Sequence, residues 1–122
     1  MRVGMSKRQF VDALADKSLD VSDEVRVLDS PPGRRPSLDL VALSEWFRAL
    51  DSDGRVMAVE LMRWMACGVL HGALCVLDGV AAIEDGPTKR RLRLLHESQD
   101  GFIVDLTSEA EPFLHDLLSE RL

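Results

Sequence analysis

A chain of 122 residues, 46% hydrophobic and 30% charged, has the balance of one globular domain and can bury a core without disulfides or metals. Its net charge of −6 argues against a phosphate-backbone binder, which needs a clustered basic surface, so no nucleic-acid partner is expected. The same acidity suits plain solubility or a cationic protein partner.

The segment Met1-Arg-Val-Gly-Met-Ser-Lys-Arg8 has no apolar core and no small-residue cleavage site, so no signal peptide is predicted. A first helix starts at Ser6. Gln9, three residues later, completes a capping box, and Met5 can pack on Phe10 as a hydrophobic staple. Phe10, Val11 and Leu14 form an apolar stripe that fades near Lys17. Further on, Val25–Leu28 fits a short strand or a helical turn equally well. Residues 30–36, with three prolines and a glycine, form a loop.

A second helix is predicted over Leu38–Leu50, capped by Ser37, with Leu40, Leu43, Phe47 and Leu50 at helical spacing and Trp46 beside them. Asp51–Gly54 reads as a turn, and Asp53 as the N-cap of a third helix over Arg55–Leu77. On that helix Glu60 and Arg63 face water. From Trp64 only His71 interrupts the apolar run before Asp78. A helix apolar all round must be covered all round, so the pattern predicts a buried central helix wrapped by the other elements. Gly68, Gly72 and Ala73 would leave a groove for a close neighbour.

Trp64–Ile83 has about the length of a membrane span, but Asp78-Gly79 stops the helix early. An aspartate at membrane depth costs a few kcal/mol, so no membrane partner is expected and the chain reads as cytoplasmic. Cys67 and Cys75 stand eight residues apart, about 12 Å along a helix and beyond the roughly 7 Å a disulfide allows. They read as buried, reduced thiols.

After Gly79 the period changes. Val80–Ile83 fits a short strand and Glu84–Pro87 a turn, followed by a hairpin over about 91–107. A two-residue Asp-Gly turn would set Leu94 opposite Thr107 and mix the faces. A three-residue loop, Gln99–Gly101 with Gly101 left-handed, pairs Leu94 with Leu106, His96 with Val104 and Ser98 with Phe102. Leu92, Leu94, Phe102, Val104 and Leu106 then share a buried face, with Arg91, Arg93, Glu97 and Asp105 facing water. That register is the one predicted. Ser108 and Glu111 suggest a capping box for a last helix, whose start Pro112 can push later. Phe113, Leu114, Leu117 and Leu118 supply its apolar stripe. The whole reads as one α+β domain, 1–122: three N-terminal helices, the third long and buried, then a small antiparallel sheet and a C-terminal helix.

Three motifs could carry chemistry. The stretch Phe47–Leu61 resembles an EF-hand loop, but aligning Gly54 and Glu60 puts Ala49 at the first ligand position. Aligning Asp51 there leaves Glu60 two residues short. The cage is incomplete in either frame, so no calcium site is predicted. Cys67, His71 and Cys75 lie four apart on one helix face. The outer pair is too far apart to share one zinc ion, and apolar neighbours disfavour a reactive thiol. Lys89-Arg-Arg-Leu-Arg93 is a basic run without interleaved aromatics, read as an exposed strand face with cross-strand ion pairs.

No catalytic residue, metal or cofactor is therefore predicted. Acids gather toward the C-terminus, and Glu84, Asp85, Glu97, Asp100, Asp105, Glu109 and Glu111 form the candidate partner-binding surface, for a basic protein. The expected function is a non-enzymatic protein-binding module that blocks or chaperones another protein. Immunity (toxin-neutralising) proteins and secretion chaperones resemble it in size and acidity. The alternatives are a homo-oligomeric structural domain, for instance a homodimer through Trp46, Trp64 or the hairpin edge, and a Cys/His-dependent enzyme or metal protein.

Overall fold

In a computed structural model of the protein, residues 4–81 and 91–122 are described. The elements run α1 (Lys7–Ser18), α2 (Ser22–Asp29), α3 (Leu38–Ala49), α4 (Ser52–Leu77), β1 (Leu95–Glu97), β2 (Ile103–Asp105) and α5 (Leu114–Arg121). The α+β class holds, with four helices ahead of the sheet instead of three, because Val25–Leu28 lies inside α2. Asp23 and Glu24 in the first turn of α2 suit the positive end of a helix dipole. The expected strand and turn over Val80–Pro87 fall mostly outside the described residues. Val80 and Ala81, which are described, are a bend following α4. The chain forms two compact units, 1–17 with 68–122, and 18–67.

In the unit spanning 18–67, α2 packs on α3. The Ser44 hydroxyl donates to the Leu28 carbonyl, one of the last-turn acceptors of α2 that lack a partner within that helix. This bond turns Ser44 and Phe47 inward and leaves Leu43, expected in the apolar stripe, exposed. The Ser37 hydroxyl accepts the Leu40 N–H at 3.2 Å, the predicted cap. The cap of α4 is Asp51, not Asp53: its Oδ1 accepts the Gly54 N–H at 2.7 Å and its carbonyl the Arg55 N–H at 2.9 Å. The helix starts at Ser52, so Asp53 sits within the first turn.

The other unit is closed by polar ties. Ser6 and Gln9 form the predicted capping box, the Gln9 N–H on Ser6 Oγ at 3.1 Å and the Ser6 N–H on Gln9 Oε1 at 2.9 Å. Lys7 Nζ donates to the carbonyls of Ser108, Ala110 and Pro112 at 2.7–3.0 Å. Arg121 pairs with Asp12 and Asp16, and Arg8 with Glu120. The core between them holds Val11, Ala15, Leu70, Leu74, Leu106, Leu114, Leu117 and Leu118.

The hairpin has the predicted register, with His96 opposite Val104. The Leu106 N–H bonds the Leu94 carbonyl, the Ser98 N–H bonds the Phe102 carbonyl, and Gly101 is left-handed at φ +82°. Leu94, His96, Ser98, Phe102, Val104 and Leu106 turn inward, while Leu92 is exposed despite its place in the pattern.

The wrapping that composition predicts for Arg55–Leu77 is not found. On α4 only Ala58, Leu70 and Leu74 are buried; Trp64 is 71% exposed, Met57 67%, and Val56, Leu61, Met65 and Val69 more than half. The space beside Gly68 and Gly72 is open. The reason is length. The 26-residue α4 runs about 39 Å, whereas the other helices, at 8 to 12 residues, extend only about 12–18 Å each. Burial depends on available neighbours, and hydropathy cannot supply them.

Candidate functional site

The C-terminal end of α4 carries a polar cluster. A Schellman motif closes the helix: the Gly79 N–H bonds the Val76 carbonyl at 3.1 Å, the Val80 N–H bonds the Cys75 carbonyl at 3.0 Å, and Gly79 takes φ +78°. This fixes Asp78, whose side chain is 1% exposed. Its Oδ1 accepts the Leu114 N–H at 3.0 Å, and its Oδ2 accepts the His115 N–H at 2.8 Å and lies 2.6 Å from His115 Nδ1. Asp78 is therefore the N-terminal cap of α5. The Ser108–Glu111 capping box does not form at this helix, because α5 begins at Leu114, past Pro112, and Phe113 at its N-cap has no side-chain acceptor. The ring of His115 stacks on Phe113 and meets His71 edge-on at 5.8 Å.

His71 Nδ1 lies 3.7 Å from Cys75 Sγ. Burial first, then the negative charges of Asp78 and Asp116, push the Cys75 thiol up from its ordinary range, which keeps it protonated and weakly nucleophilic. Both cysteines are free and half-buried, less enclosed than their apolar setting predicts. Among the described residues no group of three or more His, Cys, Asp or Glu side chains is placed to hold a metal. In the EF-hand-like stretch, residues from Ser52 onward are helical, so Gly54 and Glu60 belong to α4 and not to a loop. This end of α4 is a structural junction: its carboxylate orders a helix and its thiol is held neutral.

The predicted acidic surface is only partly free. Glu84 and Asp85 lie outside the described residues. Asp105 receives Arg93 at 2.7 Å, and Arg91 pairs with Glu109 at 3.1 Å and donates to the Thr107 carbonyl, the cross-strand pairing expected for the basic run. Hydrogen bonds from the Arg93 guanidinium, then from the Thr107 hydroxyl and N–H, hold the Asp105 carboxyl down at about 2. Asp100 is tied to Ser98, while Glu97 and Glu111 are exposed.

The other feature is apolar. Within the unit of residues 18–67, α4 presents Val56, Met57, Leu61, Trp64 and Met65 to solvent. Met57, Leu61 and Met65 recur at four-residue steps and Trp64 falls among them, so they form one stripe. Beside it, an open groove of about 520 Å³ has Val25, Phe47, Val56 and Val59 in its lining. Arg26 and Arg63, also in the lining, are held by Asp23 and Glu60, and Arg55 stacks over Phe47 at 5.6 Å. Glu60 and Arg63, themselves exposed, pair at 2.8 Å on one flank of the stripe. Sequence reasoning identified these side chains and assigned them to the core. The signal that could have placed them outside is the scarcity of long apolar segments elsewhere in the chain to cover them. Comparison with protein-family models, curated proteins and solved structures finds no match, so the site itself carries the functional argument.

Proposed function

We propose that the chain is a non-enzymatic protein-binding module that docks through the exposed face of α4. The observation that carries this reading is the stripe of four large apolar side chains, Met57, Leu61, Trp64 and Met65, each more than half exposed within three helical turns. Singly exposed apolar residues are ordinary; a contiguous patch on this scale marks a contact surface. Its chemistry is that of an interface core, because tryptophan and methionine give large, adaptable contact area.

By length and composition α4 is also apolar enough to cross a membrane. Asp53, Arg55, Glu60 and Arg63 in its first turns weigh against that use. The uncharged part, Trp64–Leu77, extends only about 21 Å, against roughly 30 Å of hydrocarbon. The acidic surface ranks below the apolar face, since Asp105 and Glu109 already hold arginines and a cationic partner would have to displace them.

Photo-crosslinking tests the reading. A benzophenone amino acid replacing Trp64, in cells at native expression level, should give a discrete protein adduct. The same group replacing exposed Asp39 should give none. Adducts to lipid only, or equal smears from both positions, would overturn it.

A further inference from the structure

Resting on the protein-binding reading, we infer that the occupant of the α4 face is a second copy of this chain, packed antiparallel about a two-fold axis at Leu61. An interface between identical copies must be complementary to itself: whatever residue i meets on j, residue j meets on i. The stripe meets this condition. Met57 and Met65 stand four residues before and four after Leu61, so chain reversal about Leu61 maps one methionine onto the other. Leu61 then meets Leu61, Met57 meets Met65, and Trp64 lies beside Met57 of the other copy, where sulfur and ring attract.

Charge agrees with the same arrangement. Glu60 and Arg63 share one flank of α4 and are both exposed, paired with each other within the chain. In an antiparallel pair of helices equal flanks face each other, so Glu60 of each copy comes alongside Arg63 of the other, twice by symmetry. The two chains each carry −6, but these central charges balance, so the seam itself is not repulsive.

The area is sufficient. Met57, Leu61, Trp64 and Met65, exposed by 52–71%, supply roughly 500 Å² per copy before flanking groups are added. The smallest specific interfaces bury about 500 Å² per partner. With area so close to that lower bound, the dimer should be reversible, with dissociation accessible on dilution.

Sedimentation equilibrium with charge-reversed chains provides the test. The unaltered protein should show a monomer–dimer equilibrium. Glu60→Arg alone and Arg63→Glu alone, both surface changes checked for folding by circular dichroism, should each weaken self-association by about tenfold or more. An equimolar mixture of the two variants should associate again, because each then supplies the charge the other lacks. A monomer at every concentration, or a mixture no better than either variant alone, would overturn the second copy as occupant. If the Trp64 crosslink nevertheless joined a different protein, the binding reading would stand without it. Flotation of the unaltered protein with phospholipid vesicles would overturn both.

Discussion

The two halves of α4 meet opposite fates. From Gly68 onward, Leu70 and Leu74 are buried in the unit that α1, the hairpin and α5 complete. Up to Cys67, Met57, Leu61, Trp64 and Met65 stand in solvent. Hydropathy does not separate the halves in this sense, for the charged residues of α4 all lie in the half that exposes its apolar face. What separates them is supply of neighbours. The unit of 1–17 and 68–122 is closed by Lys7 on three carbonyls, Asp78 on α5 and Arg121 on two aspartates. The unit of 18–67 has only the short α2 and α3 to offer. The exposed apolar face of α4 belongs to that unit, and it is the contact surface we propose.

The comparison breaks most sharply on paired truncations. Leu74→Ala removes a fully buried side chain and should cost about 2–5 kcal/mol in urea unfolding, with cavity formation adding to lost transfer energy. Trp64→Ala, measured at a dilution where the chain is monomeric, should cost less than about 0.5 kcal/mol despite deleting a larger side chain. Equal costs would mean that both halves of α4 are core. Next in size, Asp78→Ala should cost about 1–3 kcal/mol and raise amide exchange at Leu114 and His115, whose N–H groups lose their acceptor. Unchanged protection there would remove Asp78 from its capping role. In the other unit, Ser44→Ala leaves the Leu28 carbonyl without its hydroxyl donor and should cost about 1 kcal/mol.

The smallest effect is a titration. The Asp105 carboxyl is held at about 2, below its ordinary 3.8, by Arg93 first and Thr107 second. A depressed folded-state pKa stabilises above the unfolded value, and that contribution is lost as pH falls from about 3.8 toward about 2. The Thr107 amide, 2.9 Å from Asp105 Oδ1, should report this as a chemical-shift titration absent from Asp105→Asn. A midpoint at or above 3.8 would mean that the cross-strand pair is not formed in solution.

Much of the local structure is legible in the sequence. Ser6 with Gln9, Ser37, and the three-residue loop at Gly101 all act through neighbours within four residues, where spacing decides geometry. What spacing misses is action at a distance. Asp78 reads as a helix stop, and nothing local joins it to an N–H 36 residues later. Lys7 reads as a first-turn lysine, yet its amine ends on carbonyls more than a hundred residues away. The candidate site was half legible: periodicity finds the α4 stripe, but whether a stripe faces core or solvent depends on the lengths and positions of the other helices, which periodicity does not encode.

Tryptophan fluorescence puts the exposed face of α4 to the most direct test. The chain has two tryptophans, so a Trp46→Phe variant isolates Trp64. At the lowest readable concentration Trp64 should emit like free tryptophan in water and be quenched by acrylamide almost as readily as free indole. Blue-shifted emission that resists acrylamide at that dilution would mean that the chain wraps its own helix, and the contact surface described above would not exist.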